Sequence, residues 1–320
     1  MKTIGVLTSG GDAPGMNAVV RSVVRSAIAL GMNVKGIRRG YNGLIDGDII
    51  DMNIRSVSEI IHRGGTILYT ARSPEFKTEE GIKKAVETCH KEGIEGIVVI
   101  GGDGSFRGVR DLSLHGIPCV GVPGTIDNDI PSTEYSIGFD TAMNTAMEMV
   151  DKLRDTAQSH ERCSVVEVMG RHAGWIALQT GIAVGSTAIL VPEIEYDLQR
   201  DIIDKIERTK ATGKKHFVVI VAEGVSKTEE IAKQIEEITG IEARATILGH
   251  VQRGGSPTLR DRLMASLMGH EAVKLLSQGI GNRVIAYRQE KIVNYDIYEA
   301  LQMSKPFDVE AYNIANEISI

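Results

Sequence analysis

The stretch PCVGVPGTIDND, residues 118–129, joins an apolar run to a polar loop. Residues 118–122 have the pattern of a buried strand, which the Pro-Gly pair after them ends. The loop carries three polar side chains, those of Thr125, Asp127 and Asp129. Open α/β sheets build their sites at the carboxyl ends of strands, and paired carboxylates there suit general-base chemistry. The alternative is a solvated Asx turn, because Asp-Asn-Asp also favours turns.

Size, charge and cysteine usage limit the class of protein. The chain has 320 residues, of which 42% are hydrophobic and 24% charged, so two domains are favoured over one core. A formal net charge of −6 argues against a nucleic-acid partner. The three cysteines are widely spaced and form no CxxC motif, which fits a reducing cytoplasm. The sequence has no secretion signal and no apolar run of about 18 residues, so we expect no membrane span.

The N-terminal segment has the order strand, glycine-rich loop, helix. The predicted elements are a strand at 3–7, a loop at 8–15, a helix at 16–30, a strand at 34–37 and a turn at 41–43. Gly10 and Gly15 have Walker-A spacing, but Met-Asn follows where Lys-Ser or Lys-Thr would stand, so this is not a P-loop. The loop favours an anion at the helix N-terminus, although packing alone also explains it. The β-α-β order indicates a parallel sheet.

A second glycine-rich loop, GGDGS at 101–105, follows the apolar run 96–100. Glycines at a strand end let a phosphate chain lie against the backbone, and an acid among them can hold Mg²⁺. A plain βα turn is the alternative. The rest of the pattern predicts a second α/β domain and a return to the first, with helices at 79–91, 140–155, 197–210 and 260–276 and strands at 164–168, 188–191 and 217–221.

Five motifs carry a resemblance to a known family. They are TSGGD at 8–12, GGDGS at 101–105, PGTIDND at 123–129, MGR at 169–171 and HVQRGG at 250–255. In order and spacing they resemble the ATP-dependent 6-phosphofructokinases of bacterial type, over essentially the whole chain. The resemblance implies an α/β fold of two Rossmann-like three-layer α/β/α domains with mostly parallel sheets. It also implies a large ATP-binding domain, 1–138 plus about 251–301, and a smaller fructose 6-phosphate-binding domain, 139–250 plus about 302–320.

The implied reaction moves a phosphoryl group from MgATP to the 1-hydroxyl of fructose 6-phosphate, giving fructose 1,6-bisphosphate and ADP in glycolysis. The resemblance implies Asp127 as the base and Asp103 as the residue that positions Mg²⁺. It implies that Thr125 contacts the moving phosphoryl group and that Arg72 and Arg171 neutralise its charge. Asp129 and Gly11 complete the implied catalytic set.

The resemblance also implies the binding residues. For the nucleotide they are Gly11, Tyr41, Arg72, Ser73, Gly102, Asp103, Gly104, Ser105 and Gly108. For the sugar phosphate they are Thr125, Ile126, Asp127, Met169, Gly170, Arg171, Glu223, His250, Val251, Gln252 and Arg253. Arg162 and Arg244 are implied to reach in from a neighbouring subunit, so a homotetramer with shared active sites is expected.

An effector site for ADP and phosphoenolpyruvate is implied as well. Its matching positions are Arg21, Ser22, Val23, Val24, Arg25, Arg154, Gly185, Ser186, Thr187, Thr212, Lys214, Lys215 and His216. Arg21 and Arg25 lie four apart on one helix face, where they repel each other and favour an anion. Well-studied relatives have an acid at 187 and an arginine at 212, so we expect anions to bind but MgADP activation to be weakened.

Two alternatives to this function are open. Pyrophosphate-dependent enzymes of the same fold carry Asp and Lys at the positions of Gly104 and Gly124, so the two glycines favour ATP. A catalytically inactive, nucleotide-sensing paralogue is expected to lose Asp127, Asp103 or Arg171, and all three are present.

Overall fold

Two separate sheets organise the chain, which the computed structural model describes for residues 1–319. One compact unit contains Met1–Thr141 and Arg253–Lys305, and the other contains Ala142–Gln252 and the residues from Pro306 onward. In both units a sheet is covered by helices on its two faces. The predicted fold class, α/β with mostly parallel sheets, is confirmed.

The strands are, in chain order, β1 (Thr3–Thr8), β2 (Asn33–Ile37), β3 (Ile49–Met52), β4 (Gly96–Gly101), β5 (Cys119–Pro123), β6 (Cys163–Val168), β7 (Ala188–Leu190), β8 (Phe217–Ala222), β9 (Ala243–Ile247), β10 (Arg283–Arg288) and β11 (Lys291–Asp296). The helices are α1 (Met16–Ala29), α2 (Gly40–Asp46), α3 (Glu79–Lys91), α4 (Asp103–Leu114), α5 (Phe139–His160), α6 (Trp175–Ala183), α7 (Asp204–Lys210), α8 (Thr228–Thr239), α9 (Leu259–Ser277), α10 (Ile297–Gln302) and α11 (Val309–Ile318). None of these helices is long and apolar enough to cross a bilayer.

The first unit has a seven-stranded sheet of order β11-β10-β5-β4-β1-β2-β3. Its central strands are parallel, and the two edge strands, β3 and β11, run antiparallel to their neighbours. Every residue of β4 and β5 is buried, which explains their continuous apolar sequences. The carboxyl ends of β1, β4 and β5 are adjacent, so the loops after these strands converge.

Successive side chains of β4 point to opposite faces of this sheet. Ile97 and Val99 join a core cluster with side chains of α2, α3 and α4. On the opposite face α1 and α9 pack against each other and against the central strands. The first unit therefore has three layers.

The second unit has a parallel sheet of order β7-β8-β6-β9. Apolar side chains of α7 and α8 cover one face of it, with Ile206 and Ile231 in the core. Helix α6 packs on β7 and β8, and α11 packs on α6. The carboxyl ends of β8, β6 and β9 are adjacent, so this unit also gathers three strand-end loops.

The sequence prediction of a turn at 41–43 is wrong, because these residues lie in helix α2. Gly43 signalled a turn, but its reason is packing. A Cβ there would lie 1.6 Å from the carbonyl oxygen of Arg38. The helix predicted at 197–210 begins with a π-helical turn, Gln199–Ile203, before α7.

Candidate active site

The buried side chain of Asn17, near the start of α1, holds the segment 63–67. Asn17 stands at a position where a P-loop would have its serine or threonine hydroxyl. Its amide nitrogen donates to the carbonyl oxygens of Arg63 and Gly64, both at 3.1 Å. Its amide oxygen accepts from the backbone nitrogen of Ile67 at 2.8 Å. Asn17 therefore fixes the segment that leads to Arg72, whose side chain is exposed. This role is structural, and sequence reasoning missed it.

The loop after β4 has the chemistry of a phosphate and magnesium site. Gly102 precedes α4, and Asp103 is the first residue of that helix. The Asp103 side chain is 34% exposed, and its Oδ2 accepts from Arg107 Nη2 at 3.1 Å. Mg²⁺ is commonly bound through one or two carboxylates together with phosphate oxygens and water, and Asp103 could supply such a carboxylate. A half-exposed acid beside a glycine loop fits that ion.

Three predicted nucleotide residues shape the wall behind this loop. The Ser105 hydroxyl donates to the carbonyl oxygen of Ser9 at 3.1 Å. The Tyr41 hydroxyl donates to the carbonyl oxygen of Ser105 at 2.7 Å, and its ring stacks on Phe76 at a centroid distance of 4.0 Å. A Cβ at Gly108 would lie 2.4 Å from the Tyr41 ring. Burial raises the pKa of Tyr41, so its phenol is neutral.

The β5 loop, which we define as residues 124–129, is buried except at Asp129, which is half-buried. Thr125 and Asp127 are 8% and 7% exposed, and the Thr125 hydroxyl accepts from the Asp127 backbone nitrogen at 3.2 Å. The Ser136 hydroxyl donates to the Thr125 carbonyl oxygen at 2.8 Å and to Asn128 Oδ1 at 3.2 Å. Ile126 is fully buried. This burial argues against a solvated turn, because the loop is fixed from the protein side.

Arg253 approaches the glycine loop of the same unit. Its Nη1 donates to the Asp12 carbonyl oxygen at 3.0 Å. A Cβ on Gly11 would lie 2.6 Å from that same Nη1, so the missing side chain makes room for the guanidinium. Ser73, also predicted to contact nucleotide, uses its hydroxyl to accept from the Phe76 backbone nitrogen at 3.2 Å.

In the second unit, two side chains hold the loop after β6. Glu223 Oε1, at the end of β8, accepts from the backbone nitrogens of Gly170 at 3.2 Å and Arg171 at 2.5 Å. The buried Gln252 accepts from the Met169 nitrogen at 2.9 Å. Arg171 has a left-handed φ of 59° and an exposed side chain. The loop is thus shaped to present Arg171, and the neighbouring His250 and Val251 are exposed as well.

The two arginines predicted to act in trans share one partner within their own chain. Glu242 accepts from Arg162 Nε at 2.5 Å and from an Nη of Arg244. The pKa of Glu242 is lowered. The hydrogen bond from Arg162 lowers it most, burial raises it, and the hydrogen bond from Arg244 lowers it further. Glu242 keeps the two arginines together. Sequence reasoning missed this role because it depends on where Glu242 lies between the arginines in the folded chain.

The comparisons with known proteins show the family of this chain. A family model described as Phosphofructokinase matches residues 3–276. Proteins named ATP-dependent 6-phosphofructokinase from Bacillus velezensis and Bacillus licheniformis are each 56% identical over 320 residues, covering 100% of both chains. The chain belongs to the phosphofructokinase family.

Solved structures of the family share the fold. Phosphofructokinase from Saccharomyces cerevisiae superposes with a TM-score of 0.88 at 35% identity. The match covers 100% of this chain but 48% of the yeast chain, so this chain spans about half the yeast length. A pyrophosphate-dependent phosphofructokinase from Marinobacter aquaeolei superposes with a TM-score of 0.85 at 22% identity, over 97% of this chain and 86% of that one. The last likeness concerns the fold alone.

The predicted effector positions fall into two groups. In the first unit Arg21 is half-buried and Arg25 exposed on α1, while the side chains between them, those of Ser22, Val23 and Val24, are buried. In the second unit Arg154 donates to the Val184 carbonyl oxygen beside Gly185. Burial, with Arg154 nearby, lowers the pKa of Lys214, and burial, Lys214 and Arg154 lower the pKa of His216.

Three of the other effector positions have partners within the chain, and Thr187 differs from them. The Ser186 hydroxyl donates to the Gly181 carbonyl oxygen, and that of Thr212 donates to the Thr209 carbonyl oxygen. Lys215 pairs with Glu161 at 2.7 Å. Thr187 is 0% exposed, and among residues 1–319 its hydroxyl has no hydrogen-bond partner. An acid substituted at 187 would therefore be buried, so restoring the relatives' residue carries a stability cost that the sequence did not reveal.

Proposed function

We propose that the chain transfers the γ-phosphoryl group of MgATP to the 1-hydroxyl of fructose 6-phosphate, forming fructose 1,6-bisphosphate and ADP. One observation carries the proposal: the enclosed β5 loop holds Asp127 beside Thr125, next to the glycine loop after β4. The names of the relatives with 56% identity support the same reaction. We propose a cytoplasmic location, as for a glycolytic enzyme.

The roles of the first unit follow from its chemistry. The amides at the start of α4 and the glycines before it favour the phosphates of ATP. Mg²⁺, held by Asp103, would supply positive charge to those phosphates. Asp127 accepts the proton of the sugar hydroxyl, and the Thr125 side chain lies beside the transferred group. Arg72 lies free of the core and can approach the phosphates.

The second unit supplies recognition of the sugar phosphate. Glu223 and Gln252 orient the backbone that carries Arg171, so its guanidinium can face an anion. His250 of this unit suits a phosphate dianion in the same way. Arg253, which belongs to the first unit, has the same chemistry. Arg171 then neutralises charge that develops during transfer, which explains how the chain works without a Walker lysine.

A coupled assay tests the reaction. Purified protein with fructose 6-phosphate and MgATP should form fructose 1,6-bisphosphate at an enzymic rate, whereas magnesium pyrophosphate should give little product. The reverse preference would establish the pyrophosphate-dependent alternative. Nucleotide binding without product from either donor would establish the inactive, nucleotide-sensing alternative.

Gly104→Asp is expected to raise KM for MgATP by roughly 10- to 100-fold, since a carboxylate close to the triphosphate repels it. The fold should tolerate the change, because within residues 1–319 a Cβ there would meet no heavy atom closer than 4 Å apart from its chain neighbours and the backbone of its own helix. Gly104→Ala is the matched control, as it adds bulk without charge. Steady-state kinetics and thermal unfolding of both variants measure the effect. Equal KM values for Gly104→Asp and the wild type would contradict this placement of the nucleotide.

We also propose a homotetramer in which Arg162 and Arg244 serve the active site of a neighbouring subunit. Glu242 draws both arginines together near β9, an edge strand of its sheet. Mixed oligomers test the idea: Asp127→Ser and Arg244→Ala proteins, each poorly active, should regain part of the wild-type activity after controlled subunit exchange. Asp127→Ser mixed with Arg171→Ala should regain none, because the proposal assigns both residues to the active site of their own subunit. No recovery in the first mixture would contradict sharing.

For regulation, we propose that an anionic effector such as ADP or phosphoenolpyruvate binds near Arg154, Lys214 and His216. The cations that lower the pKa of Lys214 and His216 support an anion there, because an anion would relieve their repulsion. Thr187 offers no carboxylate for the Mg²⁺ of MgADP, so activation should be weak. Fructose 6-phosphate saturation curves with and without each effector test this, and potent MgADP activation would contradict it.

A further inference from the structure

Lys305 contacts the β5 loop but has no role in the reaction scheme above. Lys305 is the last residue of the first unit and follows α10. Its Nζ donates to the carbonyl oxygen of Asn128 at 2.7 Å. Asn128 directly follows Asp127, and its carbonyl belongs to the peptide between Asn128 and Asp129.

The backbone at this contact has an unusual conformation. Asn128 has a left-handed φ of 50° and is 2% exposed. Its side-chain nitrogen donates to the Glu134 carbonyl oxygen at 3.2 Å, and its Oδ1 accepts from Ser136. Asparagine tolerates the left-handed region better than most residues, yet the conformation still needs support from its surroundings. Lys305 supplies part of this support, because its charged ammonium donates to the backbone carbonyl of Asn128.

The charges around Lys305 come from two elements. Asp129 and Glu134 face it from the segment before α5, and Arg288 faces it from the end of β10. Burial, the largest effect, lowers the pKa of Lys305 to about 8, Asp129 and Glu134 raise it, and Arg288 lowers it. The ammonium is therefore protonated at neutral pH and loses its charge just above that range.

We propose that Lys305 is a positioning residue that holds the β5 loop, through the Asn128 carbonyl, in the geometry in which Asp127 receives the proton. The inference rests on the proposed phosphotransferase function. A charged donor at 2.7 Å is among the stronger hydrogen bonds in proteins, so its loss leaves the loop free to shift. Small displacements of a reacting group lower rates strongly while substrate binding is retained.

Lys305→Met should lower kcat by roughly 10- to 100-fold and leave both KM values within about threefold, because methionine keeps the bulk but donates no hydrogen bond. Lys305→Arg should recover most of the wild-type kcat. Lys291→Met, at an exposed lysine of β11, is the control and should behave as wild type.

The pH profile separates positioning from a structural role. Wild-type kcat should fall as pH rises through about 8, while Lys305→Arg should keep its kcat to higher pH. The stability effect has the opposite sign: a lysine whose pKa is lowered on folding makes the folded state more stable as pH rises from the folded pKa toward the unfolded one. Unfolding through Lys305 therefore cannot explain the expected fall in activity.

Each outcome decides the question. If wild type forms no product, the proposed function fails. If wild type is active and Lys305→Met keeps a near-normal kcat, the positioning role fails while the function stands. If Lys305→Met does not fold, Lys305→Arg still decides: a fall above pH 8 identical to that of wild type would overturn the role, and its absence would support it.

Discussion

Asp127→Ser is expected to lower kcat by roughly 10² to 10⁴, the usual contribution of a positioned general base, with both KM values within several-fold of wild type. Serine fits the space and retains a polar group, but it cannot accept the proton at neutral pH. The substrate contacts that we propose for Arg171 and for the glycine loops do not depend on this carboxylate. The loss should therefore appear in the chemical step, which single-turnover kinetics can isolate.

The control for Asp127→Ser is Asp151→Ser, which removes an exposed carboxylate from α5. It should leave kcat and thermal unfolding unchanged. A near-normal kcat for Asp127→Ser at pH 7 would exclude Asp127 as the base. Circular dichroism of both variants ensures that the comparison is between folded proteins.

Of the variants proposed for this protein, Asp261→Ala should lose the most stability, with a free energy of unfolding lower by roughly 3 kcal/mol or more. Asp261 is 0% exposed and accepts four hydrogen bonds, from the Tyr135 hydroxyl, the Gly138 backbone nitrogen, and the backbone nitrogen and hydroxyl of Thr141. Burial raises the pKa of Asp261, and the donors oppose that shift. Alanine would leave these donors unpaired in a dry interior.

Denaturant and thermal unfolding measure this loss. Glu271→Ala, on the same helix α9, removes a surface pair with Lys274 and should cost about 1 kcal/mol or less. The stability loss of Asp261→Asn should fall between those of Asp261→Ala and Glu271→Ala. The amide keeps one acceptor oxygen, but its NH₂ group faces hydrogen-bond donors that the carboxylate accepted from. A stability equal to wild type for Asp261→Ala would show that the four contacts contribute little.

Much of the fold was predictable because its central strands are continuous apolar runs. The runs at 96–100 and 118–122 are strands β4 and β5, within a residue or two, since both are buried on two faces. The sequence did not reveal the antiparallel edges β3 and β11, whose residues are partly exposed and lack a strong pattern. Helix α2 was missed because glycine was interpreted as a turn residue.

The candidate site was predictable where it depends on neighbours in sequence. The placement of Thr125 and Asp127 at a strand end followed from the pattern of that stretch. Their enclosure did not, because it depends on Ser136, and the support of Asn17, Glu223 and Glu242 depends on partners far along the chain.

The contact between Gly11 and Arg253 brings together two positions that are far apart in the sequence. The guanidinium of Arg253 stands where a Cβ at position 11 would be, and it also binds the Asp12 carbonyl oxygen. The overlap involves the end of a flexible side chain, so a larger residue at 11 is tolerable if 253 retreats. Among homologous chains, alanine or serine at position 11 should therefore occur together with a residue other than arginine at 253.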